Sequence, residues 1–326
     1  MLALIVPIVV ASLLLGNPAT TSQVAVLGSD STAAKAASLV SACKTAFNNN
    51  DLKAALADCN KAIALDPTVA SAYALRGDVK DVGGDHHGAL ADYNAAIKLN
   101  PNYQYGYATR CDTRRELGDY SGAKADCTKA IKLIPTDGYA YDRFGYLDLD
   151  TDQNAAAVKH FTIAIKNDPN RANSYAGRCH AYDNLEKYGP ALEDCKSALD
   201  IDPNSDDGLF YLAWAERNVG KAADAVGHWN TYIKRNPDDA VAFYNRGLAN
   251  RDAGNLADAK KDFGTYIQRK PKDGDGFYER GLVEEKLGDK AAALTDMKAA
   301  LKLYQIAGDD QSTKQATDEI KKLEGN

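Results

Sequence analysis

Seven prolines recur at one interval. They stand at Pro67, Pro101, Pro135, Pro169, Pro203, Pro237 and Pro271, each 34 residues after the last. A fixed period constrains a chain more than composition does, because each period must be one structural unit, repeated. Twelve residues before each proline is an alanine: Ala55, Ala89, Ala123, Ala157, Ala191, Ala225 and Ala259. Four residues before each is Ile or Leu: Ile63, Ile97, Ile131, Ile165, Leu199, Ile233 and Ile267. An eighth copy continues with Ala293 and Leu301 but lacks the proline.

Within one period the pattern predicts two helices. In residues 70–103, Tyr73, Gly77 and Val79 belong to a first helix, which Gly83-Gly84-Asp85 breaks. Ala89, Leu90, Tyr93, Ala96 and Ile97 then recur at three- and four-residue spacing, the mark of an amphipathic second helix. Asn100-Pro101 stops it, since a residue before proline avoids helical dihedrals. A helix pair this short cannot bury both faces alone, so stacked neighbours must supply the core.

Setting each proline at position 32 divides the chain into eight copies: 36–69, 70–103, 104–137, 138–171, 172–205, 206–239, 240–273 and 274–307. Position 4 is aromatic in six copies (Tyr73, Tyr107, Tyr141, Tyr175, Phe243 and Phe277), and position 15 is Gly in five (Gly84, Gly118, Gly220, Gly254 and Gly288). Together with the alanine and proline this resembles the tetratricopeptide repeat, over residues 36–307. The resemblance implies an all-α fold, a right-handed α-solenoid of about eight helix-turn-helix repeats. Residues 308–326 read as a polar C-terminal capping helix with Ile320 and Leu323 turned inward.

Two couplings recur inside the repeats. The six cysteines all fall on positions 8 and 24, as Cys43 with Cys59, Cys111 with Cys127 and Cys179 with Cys195. Other repeats carry a small residue at 8 and a bulky one at 24: Gly77/Tyr93, Gly145/Phe161, Ala213/Trp229, Gly247/Phe263 and Gly281/Met297. The two positions therefore face each other across the hairpin, and three intra-repeat disulfides are expected. The competing reading makes each Cys a small buried apolar residue, copied by duplication of a two-repeat unit. The second coupling is charge. Arg76, Arg110, Arg178, Arg246 and Arg280 at position 7 accompany Asp92, Asp126, Asp194, Asp262 and Asp296 at position 23. Repeats with His160 or His228 at position 23 carry Phe144 and Leu212 at position 7 instead. These carboxylates are expected to be structural ion-pair partners, not catalytic acids.

Residues Leu2–Leu15 form an apolar run, too short to span a bilayer and suited to the core of an export signal. Residues 1–25 read as a signal peptide cleaved near Ala19 or Ala25, and 26–35 as a short linker. No Lys or Arg precedes Lys35, so an uncleaved anchor is the competing reading; no Cys precedes Cys43, which rules out a lipoprotein anchor. Disulfides persist in oxidising compartments, so an exported, periplasmic or secreted protein is expected; the resemblance, through the style of its Arg-Gly and Asp-rich repeats, implies a bacterial one. Lys and Arg number 39 against 45 Asp and Glu, a net charge of −6. That balance argues against nucleic-acid binding, which needs a basic face.

Catalytic motifs are missing. No GxxxxGK[ST], HExxH or GxSxG occurs, and only five histidines are present. His86 and His87 are adjacent and cannot share one helical face, and no CxxC occurs, so neither a metal nor a cofactor is expected. In proteins of the resembled family, first helices line a groove that holds a partner segment, mostly through positions 2, 5, 9 and 12. Those positions map to Phe210, Trp214, Arg217, Tyr244, Arg251 and Tyr278 in the later repeats. In the earlier repeats they map to Asp78 and Asp112, among other acidic residues. Aromatics with arginines have the composition of interface hot spots, although position 5 aromatics also pack neighbouring helices. The chain is thus expected to be a non-catalytic scaffold that binds another protein in this groove. The alternative is an accessory factor that binds polysaccharide or peptidoglycan, since aromatic faces also stack on sugar rings.

Overall fold

The structure, a computed structural model, describes residues 20–325, with side chains from Ser31 onward. Every regular element among them is a helix. The helices divide into two units, residues 1–117 and 118–326. The first unit holds α1 (Thr20–Asn48), α2 (Leu52–Leu65), α3 (Ala70–Val82), α4 (His86–Leu99) and α5 (Gln104–Glu116). The second holds α6 (Tyr120–Leu133), α7 (Gly138–Asp150), α8 (Asn154–Asn167), α9 (Ala172–Asn184), α10 (Tyr188–Ile201) and α11 (Asp206–Asn218). It continues with α12 (Ala222–Arg235), α13 (Ala240–Asp252), α14 (Leu256–Arg269), α15 (Gly274–Lys286), α16 (Lys290–Ala307) and α17 (Asp310–Glu324). In each unit consecutive helices pack as hairpins and first helices touch the first helices of the next repeat. Each unit is therefore a helical-repeat solenoid.

The apolar run Leu2–Leu15 and Ala19 lie outside the described residues. Ala25 and residues 26–35, expected as a linker, are helical within α1. The alanine-rich stretch around Lys35 has no proline to stop a helix running back from the first repeat.

Local chemistry explains the helix boundaries. Asp51, Asp85, Asp119 and Asp289 at position 16 each accept a hydrogen bond from the backbone N–H three residues on, satisfying a donor that the helix start leaves free. Position 15 is left-handed in all eight repeats. Five copies use glycine, at φ between 77° and 84°. Asn50, Asp152 and Glu186 fill the other three at φ 59°, 57° and 57°, a conformation that disfavours a Cβ. The eighth repeat has Gln305 in place of proline, and α16 runs on to Ala307 before Gly308 ends it at φ 72°. On that extension α17 lays Ala316, Ile320 and Leu323, all buried.

The core is a ladder of alanines and hairpin partners. All eight position-20 alanines are fully buried. Tyr93 and Phe263 fill the space that glycine leaves opposite. A Cβ on Gly77 would stand 2.6 Å from the Tyr93 ring, and one on Gly247 2.8 Å from Phe263. In two of the repeats with Cys at both positions the sulfurs are bonded: Cys43–Cys59, with Cα atoms 5.4 Å apart, and Cys179–Cys195, at 5.5 Å.

The position 7 arginines span three helices. Arg76, Arg178, Arg246 and Arg280 each grip their Asp bidentately, with N–O distances of 2.5–3.0 Å. Three of them also donate Nη1 to position 25 of the preceding repeat: Arg76 to Asn60, Arg178 to Thr162 and Arg246 to Asn230. Each therefore joins a hairpin to its neighbour. Where Arg is replaced, the acid moves to the first helix and its partner to the second. His160 Nδ1 lies 2.6 Å from Asp148, and His228 Nδ1 lies 2.7 Å from Glu216, with the acid now at position 11 of the first helix. Arg110 and Asp126, like Cys111 and Cys127, fall one in each unit, and their pairings stand as expectations.

Candidate functional site

The face formed by positions 2, 5, 9 and 12 of the first helices differs between the two units. In the first unit it contains a cavity of about 380 Å³. Val40 and Lys44 of α1, Ser71, Leu75 and Asp78 of α3, and Tyr103 and Tyr105 at the start of α5 line it. Its walls are apolar and aromatic, and its two charges are opposite in sign. Asp78 is only 9% exposed and accepts hydrogen bonds from the Tyr93 hydroxyl at 2.8 Å and the Tyr105 hydroxyl at 2.9 Å. Burial pushes its carboxyl up to about 6, against the pull of those two bonds. Lys44 and Ser71 are exposed at the mouth. Asp112, assigned to the same groove from sequence, lies elsewhere on α5, engaged by Arg115 at 3.0 Å.

In the second unit the aromatic strip is largely taken up by packing. Phe210 meets Trp229 and Tyr232 of α12 edge-on, with centroids 4.9 and 5.5 Å apart. Tyr244 packs against Phe263 and Tyr266 of α14 at 5.7 and 5.0 Å. Tyr278 sits against Tyr304 at 6.4 Å. Position 5 thus turns its ring toward the second helix of its own hairpin. Trp214, one turn along α11, is half-buried against the Ala213–Trp229 core cluster. The arginines are also engaged. Arg217 Nε lies 2.7 Å from Asp252, and Arg251 pairs with both Asp252 and Glu279. Burial raises the Glu279 carboxyl, while Arg251 holds it down. Both arginines of the expected aromatic strip thus have acidic partners within the same face.

Tyr103, Leu75 and Val40 escaped the sequence reading. Val40 occupies position 5 and Tyr105 position 2, so the position rule itself signals them; Tyr103, at position 34, carries no such signal. Two polar groups in the second unit are also buried on this face. Asp142 accepts from the Ser174 hydroxyl at 2.5 Å. Asp183, pushed up to about 6 by burial, faces Asn218 at 3.4 Å.

A sequence-family model of the tetratricopeptide repeat matches residues 44–105, 211–273 and 249–309, and a second model of the same repeat matches 172–205. The chain belongs to the tetratricopeptide-repeat family. Among solved structures, the fold is similar to a tetratricopeptide repeat protein from Parabacteroides merdae. The two share 18% identity and a TM-score of 0.52, over 79% of this chain and 99% of that one. It is similar to Cut9 in the APC/C Cut9–Hcn1 hetero-tetramer at 16% identity and TM-score 0.68, over 87% of this chain and 55% of that one. It is also similar to YrrB, described as a TPR protein with an unusual peptide-binding site, at 21% identity and TM-score 0.50, over 59% of this chain and 97% of that one. No curated protein matches the sequence. Among the described residues, no tetratricopeptide helix is long and apolar enough to cross a membrane.

Proposed function

We propose that the protein is a non-catalytic interaction scaffold of the bacterial cell envelope that holds an extended segment of another protein on its first-helix face. Tetratricopeptide arrays are generally scaffolds, and this face carries hydrogen-bonding and apolar groups suited to a peptide segment. The observation that carries the reading is the cavity of the first unit, with Leu75 and Tyr105 as walls and Lys44 and Asp78 as opposite charges. A peptide offers that combination: an apolar side chain for the walls, a backbone amide or amine for Asp78, and a carboxyl or carbonyl for Lys44. In the second unit Trp214 is the anchor, because an aromatic side chain at the centre of an interface contributes most when half-buried and pre-ordered.

Export is supported by the apolar run Leu2–Leu15 and by cysteine pairs within single repeats, which a reducing cytosol would open. The glycan reading has less support because Phe210, Tyr244 and Tyr278 each pack one side against a second helix. The test compares binding to a peptide array and to a glycan array. Wild type should bind peptides; Lys44→Glu with Ser71→Trp, which reverses and blocks the cavity mouth, should weaken that binding by about tenfold or more. Retention on glycans alone would replace this reading with the polysaccharide one.

A further inference from the structure

The sequence sets His86 beside His87, and the pair has no use as ligands. The fold sets His86 beside two carboxylates instead. Asp85 caps α4, accepting from the Gly88 N–H at 2.9 Å. His86, the first residue of α4, therefore stands over the ends of α3 and α5. Its Nδ1 lies 2.9 Å from Asp81 Oδ1 of α3 and 3.2 Å from Glu116 Oε2 of α5. The three donor atoms all lie within 4.8 Å of one another.

One ring nitrogen carries at most one proton, so two carboxylates can only share it in a three-centre contact. A divalent cation can accept all three donors. Zn–N and Zn–O bonds of about 2.0–2.2 Å in a tetrahedron put ligand atoms about 3.3 Å apart, close to the two separations found here. The Thr113 hydroxyl donates to the same oxygen, Asp81 Oδ1, at 3.2 Å, and a hydrogen bond of this kind helps to orient a metal-binding carboxylate. The other two acids nearby are committed elsewhere, Asp85 to its cap and Asp112 to Arg115. All three ligands are partly open to solvent, with side chains 20–37% exposed, so a fourth position faces outward.

We propose that Asp81, His86 and Glu116 form a Zn²⁺ site at the ends of α3 and α5, with an open fourth position for water or an external ligand. One imidazole with two carboxylates suits zinc better than calcium or magnesium, which take oxygen ligands throughout. The site lies in the second and third repeats, with Asp81 at position 12 of the first-helix face, and zinc binding is measured without any partner.

The test is zinc titration of the full, untagged, oxidised chain after chelator treatment and desalting, followed by calorimetry. Wild type binds one equivalent with a Kd in the micromolar range or tighter. His86→Gln and Glu116→Gln, made separately and checked by circular dichroism for native helicity, each weaken binding by about 100-fold. His87→Ala leaves it unchanged. Zinc also raises the melting temperature of wild type but not of His86→Gln. Absence of binding to wild type at 100-fold excess zinc would overturn the site, and so would unchanged binding in both ligand variants. Loss of binding on His87→Ala alone would assign the metal elsewhere and overturn it equally.

Discussion

The two units present the same positions of the same repeat and use them differently. In the first, positions 2, 5 and 9 of neighbouring helices leave a cavity with Lys44 at its mouth and Asp78 in its wall. In the second, position 5 is a large ring in three successive repeats, and each ring packs against the second helix of its own hairpin. Position 12 is arginine twice there, and both arginines are consumed by Asp252 and Glu279. Residue type at a groove position thus does not state whether its side chain packs on its own hairpin or stays open. What distinguishes a binding face is side-chain capacity left over after folding.

That contrast is open to direct attack. The largest effect is expected from Phe210→Ala. If the ring is core, the substitution lowers unfolding free energy by about 3 kcal/mol in urea titration; unchanged stability with weakened partner binding would return the strip to the interface. Next comes removal of the staples. Cys43→Ala with Cys59→Ala in the first unit, and Cys179→Ala with Cys195→Ala in the second, each open a loop worth roughly 3 kcal/mol in the chain-entropy model. Equal losses in the two pairs, read from denaturation midpoints, would show that the units differ in their faces and not in their frames.

A smaller effect sharpens the first unit. Asp78 has a raised carboxyl, about 6 in the folded chain, against a normal value near 3.9 when unfolded. Between those values the folded state binds more protons, so stability falls as pH rises through about 4 to 6. Asp78→Asn removes that slope and is more stable than wild type at pH 7, by on the order of 2 kcal/mol. Melting curves from pH 3.5 to 7.5 would show the two proteins converging in acid; parallel curves would mean Asp78 is not buried as a charge. Asp183 contributes with the same sign in both proteins and cancels. The smallest effect is Glu186→Gly, which relieves a left-handed residue at φ 57° and gains about 1 kcal/mol.

Much of the frame was legible because its contacts are short-range. Positions 7 and 23, like 8 and 24, are 16 residues apart in one hairpin, so a matched column of residues names its partner. The same separation links position 7 to position 25 of the preceding repeat, where Asn60, Thr162 and Asn230 stand ready. The reversed pairs were half read: His160 and His228 marked the exception, while Asp148 and Glu216 at position 11 completed it. The faces were less legible. Whether Tyr244 points outward or onto Tyr266 depends on how two helices cross, which no column of residues states. Asp81, His86 and Glu116 come from three helices in two repeats, and their meeting depends on the angle at which those repeats stack.

The account's central claim is that a partner segment lies on the first-helix face. Site-specific photo-cross-linking in envelope extract tests it most directly, with the probe in place of Ser71 or Trp214 on that face, or of Lys53 on a second helix. The account predicts that the probes at 71 and 214 capture peptides from one protein partner and that the probe at 53 does not. Capture of that partner mainly from position 53 would put the binding on the opposite surface and contradict the account.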